Sequence, residues 1–306
     1  MELLNVRRIW DEAPHNAFTD LVRFRRRWYC AFREGSTHVS DDGRLRVIRS
    51  DDGESWTSVA CMRWDGGDLR DAKLSVTASG QLMLSGAVRF LKPVGGSNHH
   101  SVTWFSEYGE EWSAPFADCS GLGTWRWSVT WHGGVAYSFG YGGKDRGGCL
   151  YRSTDGKSWD IVAQDAYPDG PAGSETSLVF SHDDTAYCLL RRQGSAMLGS
   201  ARAPYTDWEW HELGVEVGGP KMISFDTERF LAAVRLYDGR TRTSLCWVDR
   251  EAGTLTETLA LPSGGDTSYA GMVWHEGSLR VSYYASHEQT TAIYLARVKV
   301  PQHRGR

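Results

Sequence analysis

Apolar residues in this chain come in short runs broken by polar turns. Six stretches repeat one pattern, an apolar strand, a polar turn and a second apolar strand: 20–32, 73–88, 127–139, 176–190, 221–234 and 268–284. Their turns fall near Arg26, Gly80, Gly133, Asp183, Thr227 and Gly277. A third apolar segment follows each hairpin, ending at Ser50, Ser106, Ser153, Ser200, Asp249 and Arg297. The unit therefore recurs about every fifty residues, a period that signals a repeat architecture. No long segment carries the 3.6-residue periodicity of an amphipathic helix.

Three of the third strands run into the same turn: Ser50-Asp51-Asp52-Gly53-Glu54-Ser55-Trp56, Ser153-Thr154-Asp155-Gly156-Lys157-Ser158-Trp159, and a weaker copy, Ser106-Glu107-Tyr108-Gly109-Glu110-Glu111-Trp112. The Asp is expected to cap turn amides and the Trp to pack between strands, so the motif reports the fold rather than a site. Two hairpin strands, a third strand and an outer strand make a four-stranded antiparallel blade. Six such units predict a single all-β domain over 1–306, a six-bladed β-propeller that limits exposed edges by closing radially. After the sixth third strand too little chain remains for another, so 3–10 is expected to form the outer strand of the last blade.

Composition agrees with strands and turns: aromatics are 12% with fourteen Trp, and there are 34 Gly. A formal charge of −4 gives no nucleic-acid or membrane-surface signal. No apolar run reaches the length of a membrane span, and the N-terminus carries no leader pattern, so a cytoplasmic location is expected. The six Cys lack CxxC spacing and read as buried reduced thiols.

In a propeller the start of the first strand and the end of the second lie on one face. Reading those positions collects His15, Asp20, Arg33, His38, Arg70, Asp71, Trp125, Arg126, Trp127, Glu175, Arg191, Arg235, Asp266, Ser268 and Tyr269. Several Arg favour an anionic ligand, because a guanidinium grips a carboxylate with two parallel hydrogen bonds. The carboxylates Asp20, Asp71, Glu175 and Asp266 are groups that glycosidic chemistry uses, and Trp125 and Trp127 offer a stacking platform for a sugar ring. No cofactor is implied: no metal-ligand spacing, phosphate loop or serine elbow occurs.

The pattern resembles the sialidase family. Glu175-Thr176-Ser177-Leu178-Val179 through Leu189-Leu190-Arg191 is similar to that family's Glu at a blade start and Arg at the exit of the same hairpin. Arg242-Thr243-Ser244-Leu245 fits its Arg-x-x-Leu, and Ser268-Tyr269-Ala270-Gly271-Met272 is similar in place to its nucleophilic Tyr. The resemblance implies a retaining exo-glycosidase that releases a terminal acidic sugar, with Glu175 as base to Tyr269 and with Arg191 and Arg242 on the sugar carboxylate. The alternatives are a glycan-binding propeller without turnover, or a propeller glycosidase or polysaccharide lyase acting on another acidic sugar. The chain departs from the family in blade one, where Ala17 stands in place of an Arg; Arg33, Arg70 and Arg126 are the candidates to replace it. For the general acid, Asp41 is the better match by counting and Asp71 competes with it.

Overall fold

In the computed structural model, which describes residues 1–301, six antiparallel sheets follow one another in chain order. Their innermost strands are His15–Phe24, Gly67–Val76, the broken pair Trp125–Arg126 and Thr130–His132, Gly173–Phe180, Val217–Ser224 and Thr267–His275. Each packs against the innermost strand of its neighbours, which closes the six-bladed propeller. Glu2–Trp10 pairs antiparallel with Ala292–Lys299 as the outer strand of blade six, as the short C-terminal remainder predicts. Residues 302–306 lie outside the described residues. Blade two differs from expectation. It has three strands, and a lone bridge from Thr103 to Phe116 stands where its fourth would be.

The blades are held face to face by apolar residues at every second strand position. Leu45 and Val47 of blade one meet Leu69 and Leu84 of blade two, and Leu231 and Leu245 of blade five meet Met272 and Val281 of blade six. All eight are buried, each contributing about 1.5–3 kcal/mol. Of the six thiols, Cys30, Cys149, Cys188 and Cys246 are buried as expected. Cys61 is half-buried, and Cys119 is exposed because it sits in a surface 3-10 turn.

The recurring turns are braces. Asp52 Oδ1 accepts from Glu54 N at 2.8 Å and Ser55 N at 3.0 Å, and Asp155 Oδ1 accepts from Lys157 N and Ser158 N at the same distances. Ser50 and Ser153 accept from the turn glycines at 2.8 and 2.7 Å. In the degenerate copy Ser106 keeps that bond, while Tyr108 points into solvent.

Five innermost strands carry a bulge near their start, where two residues face one on the partner: Phe18-Thr19, Asp71-Ala72, Ser174-Glu175, Gly219-Pro220 and Tyr269-Ala270. Blade three has a break at the same level, with Trp127 N donating to Phe139 O. A bulge re-aims a side chain out of the pleat. Phe18, Asp71, Gly219 and Tyr269 all have left-handed φ, between 51° and 62°. The bulge of blade six lies hard against blade one: a Cβ on Gly271 would stand 2.1 Å from Leu21 N and 2.7 Å from Asp20 C. Gly271→Ala is therefore expected to cost about 3 kcal/mol by prying the ring open at its closing seam. Chemical denaturation would measure this, and an unchanged midpoint would contradict the tight seam.

Candidate active site

The bulges gather their side chains around a cavity of about 340 Å³ lined by Phe18, His38, Arg70, Asp71, Trp125, Tyr141, Glu175 and Tyr269. At its centre Tyr269 Oη donates to Glu175 Oε1 at 2.6 Å. Arg191 Nη1 reaches both groups, 2.7 Å from Glu175 Oε1 and 3.0 Å from Tyr269 Oη. Ser174, the other residue of the blade-four bulge, donates to Glu175 Oε2 at 2.6 Å. Two consecutive left-handed residues, Ser268 at φ 91° and Tyr269 at φ 51°, set the phenol in this position. Such strain persists where surrounding structure over-determines it. The ring is boxed by Phe18 and Trp127 at centroid distances of 5.1 and 5.5 Å, and by the Arg235 guanidinium 5.2 Å away. Gly219 makes room for it, since a Cβ there would fall 2.6 Å from Tyr269 Cδ2.

The protonation states follow from burial and neighbours. Burial alone would raise Glu175, but Arg191 and the hydrogen bonds from Ser174 and Tyr269 outweigh it and hold the carboxyl below its ordinary value. Burial, with the Glu175 charge beside it, pushes the Tyr269 phenol well above its ordinary value despite Arg191 and Arg235. Burial also raises Asp71; Arg70 and Lys73 oppose the rise and the Glu175 charge adds to it. The resting cavity thus holds a carboxylate bonded to a neutral phenol, with a second carboxyl that keeps its proton to higher pH than usual.

Of the residues expected at the site, Tyr269, Glu175, Arg191, Asp71 and Arg70 come together. Arg70 donates to Asp68 Oδ2 and to the His38 carbonyl while its guanidinium lies 5.1 Å from the Phe18 ring. Arg235 is beside Tyr269 but pinned, with Nε on Thr267 O at 2.7 Å and Nη2 on Asp266 and on Tyr284 Oη. Asp266 sits at the rim, taking Tyr284 Oη at 2.6 Å on one oxygen and facing His38 and His15 with the other.

Other expectations are corrected. Arg242 does not converge on Tyr269: Glu257 grips it through two bonds of 2.8 and 2.6 Å, with Asp238 at 3.1 Å. The guanidinium of blade five that reaches the phenol is Arg235. Arg33 is fully buried on Asp68, the Thr37 carbonyl and Ser40, and Arg126 is held by Asp118, so neither replaces the missing Arg. Phe18 occupies that bulge instead, with Ala17 buried behind it. Asp41 is an exposed loop residue 3.3 Å from Arg89, whereas Asp71 lines the cavity. Trp127 is buried beneath Tyr269 and Lys73 and offers no platform; Trp125 does line the cavity. Asp20 is a buried pin, accepting from Lys221 Nζ at 3.1 Å and from Leu74 N at 3.0 Å. A larger space of about 470 Å³ opens on the other side of Asp20 and Lys221, lined by all six innermost strands and without Tyr269 or Glu175.

Lys73, which its place at a strand start puts among the funnel-facing residues, is a close neighbour of the site. It is buried, with Nζ 4.8 Å from the Trp127 ring and 6.0 Å from that of Tyr269. His15, His38 and Asp266, each expected on this face but not as a group, converge so that their ligand-type atoms all lie within 4.8 Å of one another. No spacing rule finds such a group, because its members are drawn from the first strand of blade one, the loop after that blade's hairpin and the start of the last blade.

No protein-family profile matches the chain, and no curated protein does. Solved structures match along nearly its whole length. A protein of unknown function from Dyadobacter fermentans superposes with a TM-score of 0.84 at 16% identity, over 98% of this chain and 99% of that one. The K499G mutant of NanB sialidase from Streptococcus pneumoniae gives 0.72 at 12% identity, over 96% and 70%. The α-L-arabinanase of Penicillium chrysogenum, solved with arabinobiose, gives 0.73 at 12% identity, over 98% and 99%. At such identities the likeness is one of fold: the chain has a sialidase-like propeller fold.

Proposed function

We propose that this sialidase-like propeller is a retaining exo-glycoside hydrolase that releases a terminal acidic sugar. The observation that carries the reading is the Tyr269–Glu175–Arg191 constellation, with all three contacts at 3.0 Å or less. A phenol is a poor nucleophile near neutrality and needs a base beside it. Glu175 Oε1 takes the Tyr269 proton, and the phenolate oxygen, steadied by Arg191, bonds to the anomeric carbon. Asp71 gives its proton to the departing glycosidic oxygen. Water then attacks the glycosyl–tyrosine carbon, Asp71 takes its proton back, and the phenolate regains its own from Glu175. A neutral phenol suits a sugar whose anomeric carbon bears a carboxylate, which would repel a carboxylate nucleophile. Among the described residues Nε and Nη2 of Arg191 have no hydrogen-bond acceptor, which leaves them for the sugar. The structural likeness to NanB sialidase and to an arabinanase supports a glycosidase of this fold.

A panel of aryl glycosides tests the reading. Sialosides, their deaminated and eight-carbon relatives, and uronides are expected to include a substrate, and a fluorinated analogue of it to leave a glycosyl adduct on Tyr269 by peptide mass spectrometry. Turnover of a neutral arabinoside alone would overturn the acidic preference. A label on Glu175 or Asp71 would overturn the tyrosine nucleophile.

A further inference from the structure

At the seam where blade six meets blade one, three metal-ligating side chains converge outside the catalytic constellation. His15 is the first residue of its strand and is buried, Asp266 immediately precedes Thr267–His275, and His38 stands half-exposed in the loop after the first hairpin. His38 Nδ1 lies 2.6 Å and His15 Nε2 3.3 Å from one and the same oxygen, Asp266 Oδ2. We propose that His15 Nε2, His38 Nδ1 and Asp266 Oδ2 form a binding site for a zinc-class divalent cation.

The geometry is close to what such an ion needs. Tetrahedral ligands about 2.1 Å from zinc sit about 3.4 Å from each other. The His15–Asp266 separation of 3.3 Å already matches, and both residues are fixed by strand and seam. His38 must withdraw from Asp266 Oδ2 by a little under about one ångström and settle at ligand spacing from His15 Nε2, already within 4.8 Å, and it is the exposed member of the set, on a loop. The carboxylate is oriented from behind: Tyr284 Oη at 2.6 Å and Arg235 Nη2 at 3.0 Å occupy Asp266 Oδ1, leaving Oδ2 turned to the imidazoles. Outer partners of this kind are what hold a ligating carboxylate in place. Arg235 also confines the carboxylate to one coordinating oxygen. Two imidazoles and a single carboxylate oxygen suit zinc, copper, nickel or cobalt and not calcium or magnesium, which take oxygen ligands. Three protein ligands leave a fourth position for water or a sugar oxygen, and His38 also lines the cavity of Tyr269.

The test uses the full chain with Cys119→Ser, because that exposed thiol is a competing ligand. Titration calorimetry with zinc is expected to show one equivalent bound and none with calcium, and cobalt(II) to give the visible absorption of a four-coordinate nitrogen–oxygen site. His38→Ala, at a half-exposed position, is expected to fold and to weaken zinc at least tenfold. Tyr284→Phe, which frees the carboxylate from behind, is expected to weaken it about tenfold or more. No zinc bound to the Cys119→Ser protein, or binding unchanged by His38→Ala, would overturn the site. Neither readout depends on the glycosidase reading.

Discussion

Tyr269→Phe is expected to lower kcat by about 10³-fold or more, to leave KM within a few-fold, and to keep the native fold. The substitution removes one oxygen from a ring that Phe18, Trp127 and Arg235 hold in place without it. Glu175 keeps two of its three close partners, Ser174 and Arg191, so the buried charge stays compensated. Glu175→Gln is expected to cost a similar factor, because an amide cannot accept the phenol's proton. The two losses should not add. Base and nucleophile perform one step as a unit, so the double variant should be scarcely slower than either single one. Circular dichroism and a kcat–KM split on the best substrate would check this. A Tyr269→Phe protein that retained about a tenth of the activity would remove Tyr269 from the chemistry.

Asp71→Asn is expected to do two opposite things. With a poor leaving group, activity should fall by about 10²–10⁴-fold, the usual worth of a positioned acid, and by much less with an activated aryl leaving group. The basic limb of the wild-type kcat/KM profile, set by a carboxyl raised by burial and by Glu175, should vanish with it. Stability should move the other way. The folded protein holds the Asp71 proton more tightly than the unfolded chain does. Its contribution to stability is therefore fullest below the ordinary carboxylate pKa of about 4, and is lost as pH rises through the raised value. Near neutrality the substitution should accordingly stabilise by about 0.5–2 kcal/mol, an advantage that disappears in acid. Thermal melts at the two pH values would show it. A variant less stable than wild type at neutrality would mean that Asp71 is a paired structural carboxylate rather than a strained acid.

The propeller was legible because blade periodicity, turn residues and third strands are all written in local pattern. All six hairpin turns fall where Arg26, Gly80, Gly133, Asp183, Thr227 and Gly277 place them. Four of the strand starts were not. The hairpins read from the pattern begin at Asp20, Lys73, Thr176 and Lys221, the residues at which regular pairing resumes after each bulge. The true strands begin several residues earlier, and the bulge erases the alternation that would announce them. The same irregularity separates the expected residues that reach the cavity from those that do not. Glu175, Asp71 and Tyr269 are bulge residues, found through spacing and chemistry. Arg242 and Arg33 are of the right type near the right height, but each faces a carboxylate, Glu257 or Asp68, that pairs with it first. Competition between partners distant in sequence leaves no trace in local pattern. Blade two's reduced edge was hidden for a like reason, since an outer strand carries little apolar signature.

The six irregularities sit at equivalent stations around the ring, and each places a residue at or beside the cavity of Tyr269. Tyr269, Glu175 and Asp71, the nucleophile, base and acid of the proposed mechanism, occupy three stations, Phe18 and Trp127 stand as aromatic walls at two more, and Gly219 gives the phenol ring clearance at the sixth. A library confined to positions 18, 71, 175 and 269, with Gly271 held fixed because a Cβ there meets Leu21 and Asp20 across the closing seam, would vary the chemistry with little change to the interblade packing, which makes the ring an addressable template for redirected catalysis.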